Sequence, residues 1–184
     1  NKQQNWLRQF LFRRMIEQHL EEIDRLIERY REMADWHREQ AEAARRRMVE
    51  ATDKLAEIEG FLSNVNDVLE DMQRTGRLDR EKAIEVLRTR GVEVDPEADD
   101  AALVAALTAE DGKARQQRGR WSKQYEKGRS DSILHDRLKE ENLQKAQELV
   151  ERRDAVRNGG YDAEDEALRL REVTEEYRRD VQRT

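Results

Sequence analysis

Apolar residues recur along the first part of the chain at alternating intervals of four and three. From Ile16 the positions are Leu20, Ile23, Ile27, Tyr30, Ala34, His37, Ala41, Ala44, Met48, Ala51, Leu55, Ile58, Leu62, Val65, Leu69 and Met72. Sixteen of these seventeen are apolar or Tyr, where a chain that is 36% apolar would place about six by chance. A 3.5-residue repeat held over this span predicts one continuous helix with a coiled-coil seam, from about residue 5 to 75. A helix of 70 residues is roughly 105 Å long. The middle of the seam is narrow, being built from Ala34, Ala41, Ala44 and Ala51. Leu26, Met33, Phe61 and Val68 widen the stripe towards its ends, which suits contact with more than one helix. Gly60 is its weak point.

Gly76 ends this arm, as glycine does after a helix C-terminus. Asp79 is the expected N-cap of a short helix running to about Arg90, stopped by Gly91. Val92 to Val94 reads as extended before Asp95-Pro96, and Asp99 or Asp100 is the expected cap of a second short helix over Ala101–Ala109. After a basic, helix-permissive stretch from Lys113 to Lys127, a break is expected at Gly128–Ser132. Helix then resumes from Ile133 to Arg157, with Leu134, Leu138, Leu143, Ala146, Leu149, Val150 and Val156 as its apolar positions. Asn158-Gly159-Gly160 is the clearest break in the chain, placed near 158–161. Asp162 caps a last helix with Ala163, Ala167, Leu170, Tyr177 and Val181 on one face.

The expected fold is therefore all-α: a long antiparallel coiled-coil hairpin or an elongated helical bundle with a small helical tip. Its parts are a long helix over 1–75, a tip over 76–112 and return helices over 113–184. Equal arm lengths would set Gly60 near Gly128. Two alternatives stay open: a reversal at Asn158-Gly159-Gly160 giving a three- or four-helix bundle at one end, and an intermolecular dimer through the first arm.

Composition agrees with a narrow-cored helical chain, since 42% of its 184 residues are charged, against about a quarter in an average globular domain. Net charge is −6, which argues against a dedicated nucleic-acid surface. The absence of cysteine excludes disulfide frameworks, cysteine-ligated metals and thiol catalysis. None of His19, His37 and His135 lies in an HExxH motif or has a Glu three residues before it. With no Gly-rich phosphate loop or nucleophile elbow either, no enzyme, cofactor or metal site is expected. No run approaches 18 apolar residues, so no membrane-spanning helix is expected. The chain starts at Asn1 rather than Met, which leaves open what precedes it.

Residues 79–109 resemble the HeH motif, the helix–extended-loop–helix relative of LEM and SAP domains, through Ala83, Ile84, Leu87, Gly91, Val92, Val94, Ala98, Leu103 and Leu107. The resemblance implies a small helical module of the kind found in phage-related and nucleic-acid-associated proteins. Here Asp99 and Asp100 stand where the family often carries Lys, and Asp79–Asp111 holds ten acids against four basic residues. That balance repels phosphate and favours a protein-docking tip.

These features point to a structural or assembly protein, a scaffold, spacer or adaptor of phage-like or mobile-element character, cytoplasmic or virion-associated, with self-association or a larger protein assembly as its partner. The residues expected to make protein contacts are Trp6, Phe10 and Phe12 near the start, and Ile84, Leu87, Leu103 and Leu107 in the tip. The alternative is a nucleic-acid-associated accessory factor using the interleaved basic and aromatic residues Arg115, Arg118, Arg120, Trp121, Lys123 and Tyr125. For Asn1–Ile16, packing on the last helix and docking into an assembly are the favoured roles, and contact with an anionic membrane surface is not. His37, the one polar seam residue, is either a pH-dependent element or a register-setting one.

Overall fold

The structure is a computed structural model that describes residues 1–160 and 162–184. Tyr161, the last residue of the expected break at 158–161, lies outside the described residues. The chain is all-α, with four helices among the described residues: α1 (Lys2–Thr75), α2 (Arg80–Thr89), α3 (Asp100–Arg157) and α4 (Ala163–Arg183). The packing divides it into two units, residues 1–42 with 133–184 and residues 43–132.

None of the seventeen seam residues of α1 is exposed, and Ile23, Tyr30, Ala41, Ala44 and Ala51 are fully buried. In the first unit, α1 and α3 are antiparallel, as ion pairs from Arg153 and Arg157 to Asp24 and the contact of His37 with His135 show. There α4 runs back against α3 and parallel to α1, with Arg8 bonded to Glu164, Arg178 to Glu22 and Lys145 to Asp180. The three-helix core is made by Ile16, Ile23, Leu26, Ile27 and Tyr30 of α1, Ala146, Leu149 and Val156 of α3, and Ala163, Ala167 and Leu170 of α4. The apolar faces foreseen on the last helix thus meet the wide end of the α1 stripe.

In the second unit, α1 supplies Ile58, Phe61, Leu62, Val65 and Val68; α2 supplies Ala83, Val86 and Leu87; and α3 supplies Leu103, Leu107 and Ala114. Local chemistry sets the ends of α2. The Asp79 carboxylate accepts from Lys82 N at 3.2 Å, and Gly91 turns the chain at φ +85°. Asp99, rather than Asp100, caps α3 by accepting from Ala102 N at 2.8 Å.

Two expectations fail here for one reason. The second short helix does not stop at Ala109, and Gly128–Ser132 is no break, because α3 is continuous from Asp100 to Arg157. A glycine inside a helix costs about 1 kcal/mol but does not interrupt its hydrogen bonding. Gly128 is there for proximity: a Cβ on it would stand 2.8 Å from Met48 Cγ and 2.9 Å from Ala44 O. Gly128 therefore lies beside Ala44 and Met48, not Gly60. The equal-arms expectation counts all of 113–184 as one return arm against α1, whereas α3 ends at Arg157 and α4 is a separate helix.

Candidate interaction surfaces

Leu87, Leu103 and Leu107 are fully buried in the core of the second unit, so they hold α1, α2 and α3 together and offer nothing to a partner. Ile84 packs partly against the same core, and Phe12 partly against that of the first unit. These corrections share a cause: apolar spacing on a short helix marks the side that packs and does not say against what. Trp6 and Phe10, by contrast, are exposed, and their rings stack with centroids 5.7 Å apart.

An open groove of about 1030 Å³ lies in the second unit. One wall is a helical stripe of α1 through Arg47, Glu50, Lys54, Glu57, Phe61 and Asn64. The other is α3 at Gln117, Arg120, Trp121 and Gln124, and Thr89 of α2 and Arg90 just after it also line the groove. Gly60 lies in the lining with nothing within 4 Å of where a Cβ would stand. Arg90 is held firmly: its guanidinium donates to Gln117 Oε1 at 2.7 Å, lies 3.5 Å from Glu110 and stands over the Phe61 ring at 5.0 Å.

The basic stretch is less available than its sequence suggests. Arg115 donates to Asp111 at 2.8 Å, a bond that raises its pKa above the ordinary value, and Arg118 pairs with Glu59 at 3.2 Å. Trp121 packs partly against the core, and Tyr125 is half-buried. Among the described residues, Arg120 and Lys123 have no ion-pair partner, and Arg120 lines the groove.

In the first unit, Nδ1 of His37 and Nδ1 of His135 are 2.9 Å apart, with Trp36 edge-on to both rings. The sequence pattern singles out His37 alone, as a seam residue. The pairing with His135, ninety-eight residues away, follows from the register of α1 on α3. A polar cluster lies farther along the same unit. Tyr30 donates to Asp180 Oδ2 at 2.6 Å, Lys145 donates to the same oxygen at 2.7 Å, and Tyr177 donates to Glu148 at 2.7 Å. Burial raises the pKa of both tyrosines, and their carboxylate partners raise it further. Asp180 is held below the usual carboxylate value: burial pushes it up, but the Lys145 and Tyr30 hydrogen bonds outweigh that.

The geometry defines an all-α protein of packed long helices. No protein-family model matches the chain, and no curated protein or solved structure was found to be similar to it.

Proposed function

We propose that this chain is a non-enzymatic structural or assembly protein, a scaffold, spacer or adaptor working through helix-to-helix protein contacts. The observation that carries this reading is the groove of the second unit. In the first unit, the α1–α3 pair is covered by α4. In the second, the stretch of α1 from Arg47 to Asn64 and of α3 from Gln117 to Gln124 flanks an open slot, with side chains at helical spacing on both walls. Such a slot suits an amphipathic helix laid lengthwise. The HeH resemblance and the phage-like, cysteine-free make-up support the same reading, and a second copy of the chain is the first partner to test.

Gly60→Arg is the probe. The added side chain enters open space in the groove and improves local helix propensity, so the fold is kept. Sedimentation velocity over a wide concentration range should show wild-type mass rising above that of one chain and Gly60→Arg remaining monomeric. A single-chain mass for both at every concentration would count against self-assembly.

One observation keeps a second reading, that of a nucleic-acid-associated accessory factor. Arg120 and Lys123, beside Trp121, have no ion-pair partner among the described residues. Fluorescence anisotropy with single- and double-stranded DNA and RNA, across salt, tests it. Binding that weakens steeply with salt and is lost in Arg120→Glu/Lys123→Glu would promote it over the assembly role.

A further inference from the structure

The start of α1 carries apolar side chains on two sides. Phe12, Met15 and Ile16 face the core of the first unit. Trp6, Leu7, Phe10 and Leu11, spaced i, i+1, i+4 and i+5, share another face and are 68%, 52%, 47% and 52% exposed. Single exposed apolar residues are ordinary, but four large ones in contiguous turns mark a contact surface. The helices packed on this unit leave that face open: α4 meets α1 here through Glu164 on Arg8, and α3 meets it further on, at Asp24.

Charge selects what covers it. From Lys2 to Arg14 there are four cations and no acid, and the first carboxylate on α1 is Glu17. Glu164 engages Arg8, while Lys2, Arg13 and Arg14 have no ion pair among the described residues. Most acids at the opening of α4 are committed. Asp162 caps the helix, Glu164 holds Arg8 and Glu166 is buried beside Arg152, which leaves Asp165 exposed and with no ion-pair partner among the described residues. A second copy would bring the same unpaired cations against this face. A negatively charged lipid surface compensates them, and its headgroup layer takes a Trp ring and neighbouring Phe and Leu side chains. We propose that the first four turns of α1 lie on an anionic lipid surface. Trp6, Leu7, Phe10 and Leu11 enter the headgroup boundary, and Lys2, Arg13 and Arg14 sit against lipid phosphates. The helix lies on the bilayer and does not cross it, since no helix among the described residues is long and apolar enough to span one. This contact is independent of the groove, so either can fail alone.

The test uses the full chain with Trp36→Phe and Trp121→Phe, which leaves Trp6 as the one tryptophan reporter. Phosphatidylcholine vesicles with and without phosphatidylglycerol are added. Trp6 emission should shift to the blue and the protein should cosediment with the anionic vesicles, on the order of tenfold more tightly than with neutral ones. Salt should weaken the binding. Trp6→Ser/Phe10→Ser should abolish it and Arg13→Gln/Arg14→Gln should reduce it, with helix content by circular dichroism unchanged in both. No cosedimentation at low salt, or equal binding to neutral vesicles, would overturn the proposal and leave a protein-docking face. A blue shift of Trp6 emission that grows with protein concentration in the absence of lipid, and vanishes in Phe10→Ser/Leu11→Ser, would overturn it in favour of self-contact.

Discussion

The Nδ1 atoms of His37 on α1 and His135 on α3 stand 2.9 Å apart, and the ring centroids are 5.1 Å apart. The difference is close to two ring radii, so the nitrogens face one another nearly head-on. One must donate and the other accept, which a neutral or singly protonated pair can do and a doubly protonated pair cannot.

Burial, and then the nearby His135, lower the pKa of His37 below the ordinary 6.5. Between the lowered folded value and the unfolded value, the unfolded chain binds more protons, so stability rises with pH in that interval. The contribution is fully present above about 6.5. It declines on acidification and levels off once pH passes the folded value. Urea melts at pH 7.5 and pH 5 should show the wild type losing stability on acidification and His37→Asn losing less. Equal losses would assign the effect elsewhere and leave His37 as a register residue. Asp180 does not confuse this window, because its lowered pKa places its own loss at more acidic pH.

Tyr30 is fully buried, and its hydroxyl shares Asp180 Oδ2 with Lys145. Tyr30→Phe keeps the ring and its edge-on contact with Tyr177, 6.1 Å between centroids, while removing one bond to a charged acceptor. The expected loss is about 1.5–3 kcal/mol in urea denaturation at neutral pH. No measurable change would mean that water replaces the hydroxyl.

Two helix-interior glycines should respond with opposite signs. Gly60→Ala adds a methyl to open space and should stabilise by about 0.5–1 kcal/mol through helix propensity. Gly128→Ala drives the same methyl into Met48 and the Ala44 carbonyl, so α1 and α3 must separate locally. The expected cost is about 1–3 kcal/mol, as for overpacking. Thermal melts of the two variants side by side would test the placement of α3 on α1.

Leu107 and Phe10 separate core from surface. Leu107→Ala should cost about 2–5 kcal/mol in chemical denaturation, as for a buried leucine. Phe10→Ala, at a residue 47% exposed, should fall within about 0.5 kcal/mol of wild type. A large loss in Phe10→Ala would mean that the exposed face is covered within the protein.

Much was legible because it is local. The seam of α1 follows from the 3.5-residue spacing, since a side chain's face on a helix depends only on its position. Asp79 and Asp162 were readable as caps because a carboxylate meets the free N–H groups two or three residues on. Gly76 and Gly91 were readable as stops, and both adopt positive φ. The same local logic misread Gly128, whose role depends on Met48 and Ala44, far away in the chain. It also offered Leu87, Leu103 and Leu107 as docking residues, because a buried apolar stripe and a sticky one have the same spacing.

By itself, the sequence determined the all-α class, the length of α1, the caps at Asp79 and Asp162 and the stops at Gly76 and Gly91, because each rests on hydrogen bonds and periodicities spanning a few residues. Tertiary structure alone decided that α3 runs unbroken through three glycines, that His37 meets His135, that Trp121 and Gly60 border one groove, and that Trp6 and Phe10 are left facing outward. These depend on the register of one helix on another. Register is set by the summed packing of residues far apart in the chain, which no short window of sequence contains.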